Sequence, residues 1–422
     1  MKTETNTLKP EQNQGFKVLL TGSILQLFLG IIYVWSVFVK PMGDYFAQNG
    51  GDGATIISNV KFTVNVMLCC FVLGILLGGR LQSRFKASFI VLAGGLLMSA
   101  GMLSTSFVQS SAPVWSIWIT YGIIGGFGVG LAYNTIISCA QKWFPKKRGL
   151  ATGISVFTFG FSSVVFAPLA EKMINSEAIG LMRTLQILGA AFFVATLALF
   201  SFIKLPENTG APVADFSSQP QYTTGQMLKK ADFYLIFFSM MFLTASFFII
   251  NPSLRGLASM HGLNEKFGVT LVMITGLANS AGRLAVPLLG DKIGRRGAVF
   301  AILLITAVGT ASLCIVKGAV FVIAVAAVAF CYGGSSGVYP LITADYFGLK
   351  NVGSNYGAVM VGFMTSVLLF PNIVGQLKTG EGAAAADNIG KFIALGSVAA
   401  AGALLIVVMM VSARKKAAAQ GK

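Results

Sequence analysis

Histidine occurs once in this chain, at His261, and only 14 of its 422 residues are acidic. No acidic residue lies in the middle of an apolar run, so the nucleophile, base and ligand sets of an enzyme are missing where a membrane enzyme would need them. The five cysteines (Cys69, Cys70, Cys139, Cys314 and Cys331) all sit in apolar runs, and no CxxC pair occurs. They read as packing thiols, and no metal centre or cofactor is expected. Charged residues make up only 11% of the chain, against about 25% in soluble domains, which excludes a soluble globular protein. Ten-residue segments of alternating hydrophobicity are absent too, which excludes a membrane β-barrel.

What the chain has in quantity is apolar sequence, 55% of its residues, with a mean hydropathy of +0.77. Twelve apolar segments are predicted as membrane-crossing helices: 16–38, 60–78, 87–107, 114–141, 149–172, 182–203, 233–252, 268–289, 297–316, 319–342, 354–377 and 389–411. The first outruns a signal-peptide core and has no small-residue cleavage site after it, so it reads as a retained helix. The polar stretch 204–231 divides the segments six and six. The expected organisation is an N-terminal tail 1–15, a bundle 16–203, a linker 204–231, a second bundle 232–411 and a tail 412–422. The fold class is an all-α membrane protein of two six-helix halves.

The net charge of +17 comes from 31 Lys and Arg, and their distribution argues against nucleic acid as a partner. With the N-terminus inside, 21 lie on the cytoplasmic side, 9 on the other, and one, Arg283, within a membrane segment. That bias places both termini in the cytoplasm, in the inner (plasma) membrane of the cell. The halves also echo each other. GGRLQSRFK (78–86) follows the second segment and GDKIGRRG (290–297) the eighth, while WFPKKRGLATG (143–153) follows the fourth and YFGLKNVGSNYG (346–357) the tenth. Two tandem six-helix halves with basic loops in matching places form the repeat pattern of the major facilitator superfamily.

Arg283 is the residue to explain. A guanidinium at membrane depth costs about 2.5–3.5 kcal/mol on insertion scales and normally faces a polar cavity. Its own segment holds no acid before Asp291, and Asn279 lies one helical turn away on the same face. An anion arriving as substrate would supply the opposite charge, and a guanidinium fork matches a carboxylate with two parallel bonds. Counting at about 1.5 Å per residue, Asn279, Tyr133, Tyr332 and Phe363 reach a layer near Arg283, with Tyr33 closer to the outer face. Tyrosine hydroxyls suit a second polar group of a substrate, and their rings suit a cavity wall. Arg283, Asn279, Tyr332, Tyr133, Tyr33 and Phe363 are therefore the expected substrate contacts. In the loops Arg80, Arg84, Asp291, Lys292, Arg295 and Arg296, with Asp345 at the end of the tenth segment, are expected to lock helix pairs through ion pairs and helix ends. GIIGGFGVG (122–130) and GGSSG (333–337) allow close helix passage; GFGVG lies mid-membrane and is no phosphate loop.

The runs IYVWSVF (32–38), GFGVGLAYN (126–134), KWFPKKRGLATG (142–153), NSAGR (279–283) with GDKIGR (290–295), and YGGSSGVYPLITADYFGLKNVGSNYG (332–357) together resemble the oxalate/formate antiporter family of that superfamily, related to the monocarboxylate transporters. The resemblance implies a carrier of small carboxylates. It places the family's helix 8 arginine on Arg283 and its tyrosine and aromatic positions on Tyr33, Tyr133 and Tyr332. The oxalate pattern has a helix 11 lysine where Phe363 stands, so the resemblance implies a monocarboxylate such as lactate, pyruvate, formate or acetate, with an oxalate-type dicarboxylate as the alternative. The animal carriers have an Asp at the position of Asn279, so proton symport would need the substrate, water or His261 as proton carrier. Anion exchange needs none, and both modes remain open. The expected partners are the carboxylate, a proton if symport operates, and the lipid bilayer around a monomer. A receptor would add a signalling extension, a channel a continuous polar stripe, and a drug exporter leaves Arg283 unexplained.

Overall fold

The computed structural model describes residues 8–206, 220–250, 261, 263, 267–376 and 385–420. Residues 1–7, most of the polar stretch between the halves, and the cations Arg255, Lys266 and Lys378 lie outside the described residues. Among the described residues twelve helices are long and apolar enough to cross a membrane: α1 (Asn13–Ala47), α2 (Gly53–Leu81), α3 (Ala87–Thr105), α4 (Trp115–Trp143), α5 (Arg148–Ile174), α6 (Gly180–Phe202), α7 (Ala231–Ile250), α8 (Thr270–Ile293), α9 (Arg295–Ser312), α10 (Gly318–Phe347), α11 (Val352–Phe370) and α12 (Ile393–Ser412). In lipid each backbone N–H and C=O must be satisfied within the segment, and the α-helix does this for runs of such composition.

Several helices run beyond their apolar runs. α1 continues through Lys40 and Pro41 to Ala47, and α10 reaches Phe347 rather than ending near residue 342. Polar residues end an apolar run without ending a helix, because water can receive their side chains while the backbone ladder continues. α2 begins where Asp52 accepts the N–H groups of Ala54 and Thr55, at 3.3 and 3.0 Å, an N-cap that satisfies otherwise unpaired donors. The described end of the polar stretch is not all loop. Thr223 and Gln226 form a capping box around a short helix at Thr224–Met227, which the T-x-x-Q spacing encodes. Among the described residues three spans depart from regular α geometry, α1 through a 3₁₀ turn at Gly30–Val34, α4 through a π segment at Trp118–Gly125 and α6 through a closing 3₁₀ turn at Phe200–Phe202.

The chain divides into two compact units. One holds α1–α6 and takes in Leu349–Gly357, which includes the first residues of α11; the other holds Tyr222–Gly348, hence α7–α10, and resumes at Ala358. Each unit is built on a helix pair that touches backbone to backbone. In the first, a Cβ on Gly130 of α4 would stand 2.0 Å from the Phe71 carbonyl oxygen of α2. In the second, a Cβ on Gly333 of α10 would stand 1.9 Å from the Asn279 carbonyl oxygen of α8, and one on Gly282 2.0 Å from that of Phe330. Only glycine allows such approach, and van der Waals contact at this range is what associates helices where lipid is as apolar as the side chains.

Candidate functional site

The α8–α10 contact sets the position of Arg283. Gly333, Gly334 and Gly337 of GGSSG face α8 at Asn279, Val286 and Pro287 respectively, so the small residues of α10 line the same stretch that carries the arginine. Pro287 has no N–H to offer the Arg283 carbonyl four residues earlier, which loosens the α8 ladder at that point. Arg283 itself is 1% exposed. Its Nε donates to Asn279 Oδ1 at 3.0 Å, the i, i+4 partner that the sequence pattern suggests. That bond fixes the plane of the guanidinium. In bidentate pairs a carboxylate engages two nitrogens of one such edge, so a fixed plane is a fixed direction of approach.

Tyr332 and Phe363 are also brought together, through residues of α7 that the sequence reading did not single out. The Tyr332 ring stacks on Phe247 at 3.8 Å with the planes 3° apart, and it meets Phe248 edge-on at 5.6 Å. Phe248 in turn makes a T-shaped contact with Phe363 at 5.4 Å. Both Tyr332 and Phe363 are buried. In the first unit the organising ring is Phe159 of α5, which lies 5.5 Å from Tyr33 and 4.7 Å from Tyr133. Phe71 of α2 packs on Tyr133 at 5.2 Å. Gln26 of α1, fully buried, donates through Nε2 to the Tyr133 carbonyl at 3.2 Å. An amide in the middle of the run SILQLFLG was a visible signal for Gln26. Phe71, Phe159, Phe247 and Phe248 carried none, because phenylalanine in an apolar helix is the ordinary case. His261 is held by ring stacking on Phe321 at 4.1 Å, and its Nε2 lies 3.0 Å from the Leu313 carbonyl oxygen.

The charged loop residues sort into two groups. Arg295 at the start of α9 pairs with Asp291 at the end of α8, lies 3.6 Å from Asp345 of α10, and donates to the Pro287 carbonyl at 3.2 Å. One guanidinium thus ties three helices of the second unit. The Arg296 guanidinium lies 4.8 Å over the Tyr346 ring, a cation–π contact, while Lys292 is exposed. Arg80 and Arg84 belong to the other unit, where they line a cavity with Lys142 and Lys350.

The profile of the Major Facilitator Superfamily matches residues 17–371, most of the chain. The chain belongs to the Major Facilitator Superfamily. It is therefore a multi-pass membrane transporter rather than an enzyme. Among relatives, the transporter is 27% identical over 360 residues to the uncharacterized MFS-type transporter YhjX of Escherichia coli (strain K12), covering 83% of this chain and 85% of that protein. It is 27% identical over 389 residues to the oxalate:formate antiporter of Oxalobacter formigenes, covering 90% and 86%, and 27% identical over 385 residues to monocarboxylate transporter 12 of Xenopus laevis, covering 83% and 80%. Among solved structures, the proton:xylose symporter XylE from E. coli superposes with a TM-score of 0.70 at 17% identity over 93% of this chain and 95% of that one. At that identity the likeness is one of fold. The twelve-helix expectation and the resemblance to the oxalate/formate and monocarboxylate carriers both stand.

Proposed function

We propose that this transporter moves a small monocarboxylate of the lactate, pyruvate, formate or acetate class by alternating access, with Arg283 holding the carboxylate. The observation that carries the reading is the buried guanidinium whose Nε is bonded to Asn279 at 3.0 Å on a membrane-crossing helix. Burying that group costs about 2.5–3.5 kcal/mol even on insertion scales, and such residues in carriers mark substrate or ion pathways. Asn279 orients the fork, and Tyr332 and Phe363 offer a hydroxyl and an apolar wall. Tyr33 and Tyr133 are the candidate hydroxyls of the first unit. The names of the relatives support a carboxylate. Their range also supports the second reading, an oxalate-type dicarboxylate exchanged for formate, since the oxalate:formate antiporter aligns with 90% of the chain. Phe363 favours the monocarboxylate, because a phenyl ring among Phe248 and Tyr332 offers a second carboxylate no cation.

The charge bias of the loops supports a plasma-membrane orientation with both termini in the cytoplasm. Arg295, with Asp291 and Asp345, is proposed to stabilise one conformational state of the cycle, and Arg80, Arg84, Lys292 and Arg296 complete the charged ends of the helices. Uptake of labelled lactate, pyruvate, formate and oxalate into proteoliposomes, with a pH gradient or with substrate inside, tests substrate and coupling together. Saturable uptake of a monocarboxylate in preference to oxalate is the expected result. Transport of oxalate alone would replace the reading by the dicarboxylate one, and no carboxylate transport would overturn both.

A further inference from the structure

Arg80, Arg84, Lys142 and Lys350 come from three separate stretches of chain, yet they line one cavity of about 420 Å³ lying entirely inside the first unit. Ser83 and Ser354 add hydroxyls, and no acidic residue lines it among the described residues. Loop cations are ordinary topology signals, which explains their number but not their convergence. Helix ends account for part of the charge: Arg80 lies in the last turn of α2 and Lys142 in the last turn of α4. Each helix C-terminus supplies about half a negative charge, so two of them leave roughly three of the four positive charges uncompensated. A monocarboxylate needs one cation. Two guanidinium forks, two ammonium groups and two hydroxyls are instead the donor set of a phosphate group, which accepts bidentate arginine bonds and point charges together. The volume falls in the range of about 300–1,000 Å³ typical of small-ligand sites.

We propose that this cavity binds a phosphate-bearing anion, either a soluble phosphoanion or the headgroup of an anionic phospholipid. The proposal is independent of the carboxylate reading at Arg283. Bound there, the anion ties the segment 349–357 to α2 and α4. That segment already packs closely on both: a Cβ on Gly79 would stand 2.3 Å from the Gly353 carbonyl carbon, and Asn134 Nδ2 donates to the Gly353 carbonyl at 2.8 Å. Occupancy of the cavity therefore stabilises this packing within the first unit.

The test uses the full-length protein purified in a nonionic detergent. Binding of inorganic pyrophosphate is measured by calorimetry at low salt. Binding of phosphatidylglycerol, against phosphatidylcholine, is measured by native mass spectrometry and by the shift in melting temperature. The variant is Arg84→Gln with Lys350→Gln, two exposed positions, with Lys61→Gln and Lys172→Gln as a control double variant on the opposite face. The expected result is binding of at least one probe by the wild type, weakened about tenfold or more in the Arg84/Lys350 variant and unchanged in the control. Pyrophosphate alone identifies a soluble phosphoanion, and phosphatidylglycerol alone identifies a lipid. No binding of either probe, equal binding by the Arg84/Lys350 variant, or equal loss in the control would each overturn the proposal.

Discussion

Asn279→Asp is the substitution that interrogates the arginine most sharply, because it changes charge without changing shape. Asn279 Oδ1 lies 3.0 Å from Arg283 Nε, so a carboxylate at that position meets the guanidinium at once as an internal anion. Two unit charges about 4 Å apart interact by about 4 kcal/mol at an effective dielectric of 20. An incoming carboxylate must then either displace this pair or bind beside a second negative charge. Even half of that energy, about 2 kcal/mol, weakens apparent affinity roughly 30-fold at about 1.4 kcal/mol per decade. Protonating the introduced carboxyl removes the penalty, so a proton taken up with the substrate restores binding. Affinity in the variant should therefore strengthen as pH falls, by up to about tenfold per unit where one proton is taken up with the substrate. The assay is initial uptake in proteoliposomes between pH 5.5 and 7.5, with the apparent affinity extracted at each pH. An affinity and pH profile identical to the wild type would refute the reasoning, since a substrate that contacts Arg283 cannot ignore a charge placed on its partner.

The remaining predictions concern packing, selectivity and stability. Gly333→Ala inserts a Cβ 1.9 Å from the Asn279 carbonyl oxygen, forcing α8 and α10 apart at a cost of about 1–3 kcal/mol, as overpacking typically does; a lowered melting temperature with reduced uptake is expected, and wild-type values for both would contradict the contact. Phe363→Lys adds the second cation that a dicarboxylate needs, so oxalate affinity should rise while monocarboxylate affinity falls; unchanged oxalate affinity would remove the argument from Phe363. Arg295→Gln removes the link among Asp291, Asp345 and the Pro287 carbonyl. Partly exposed pairs contribute about 0.2–1 kcal/mol each, so melting by light scattering or fluorescence should shift downward by only a few degrees. Loss of folded protein would mean that the network is a core element.

Much of this architecture is legible in the sequence because lipid imposes one rule on every span, and twelve apolar runs announce twelve helices. Arg283 and Asn279 are legible for a related reason: polar residues four apart in an apolar helix stand out, and a helix places them on one face. What the sequence conceals is where polar residues continue a helix. Reading α10 as ending near residue 342 leaves Asp345 in a loop end, whereas the extra turns carry it into the helix and towards Arg295. Lys40 and Pro41 hide the last turns of α1 in the same way. The aromatic partners were hidden more completely. α7 is apolar on every side, so nothing in ADFYLIFFSMMFLTASFFII distinguishes Phe247 and Phe248, which meet Tyr332 and Phe363, from the phenylalanines that face elsewhere. The basic loops were legible as orientation signals, but their convergence on one cavity depends on Leu349–Gly357 joining the first unit, a long-range contact that no local pattern encodes.

The central claim is that the Arg283 guanidinium bears the charge of the transported acid. The most direct test compares the affinity of the monocarboxylate identified by uptake with that of its neutral amide, in wild type, Arg283→Lys and Arg283→Gln. The account predicts strong preference for the acid in wild type, a preference reduced about tenfold or more in Arg283→Lys, where the fork is lost, and abolished in Arg283→Gln. A preference for the acid that survives intact in Arg283→Gln would contradict it.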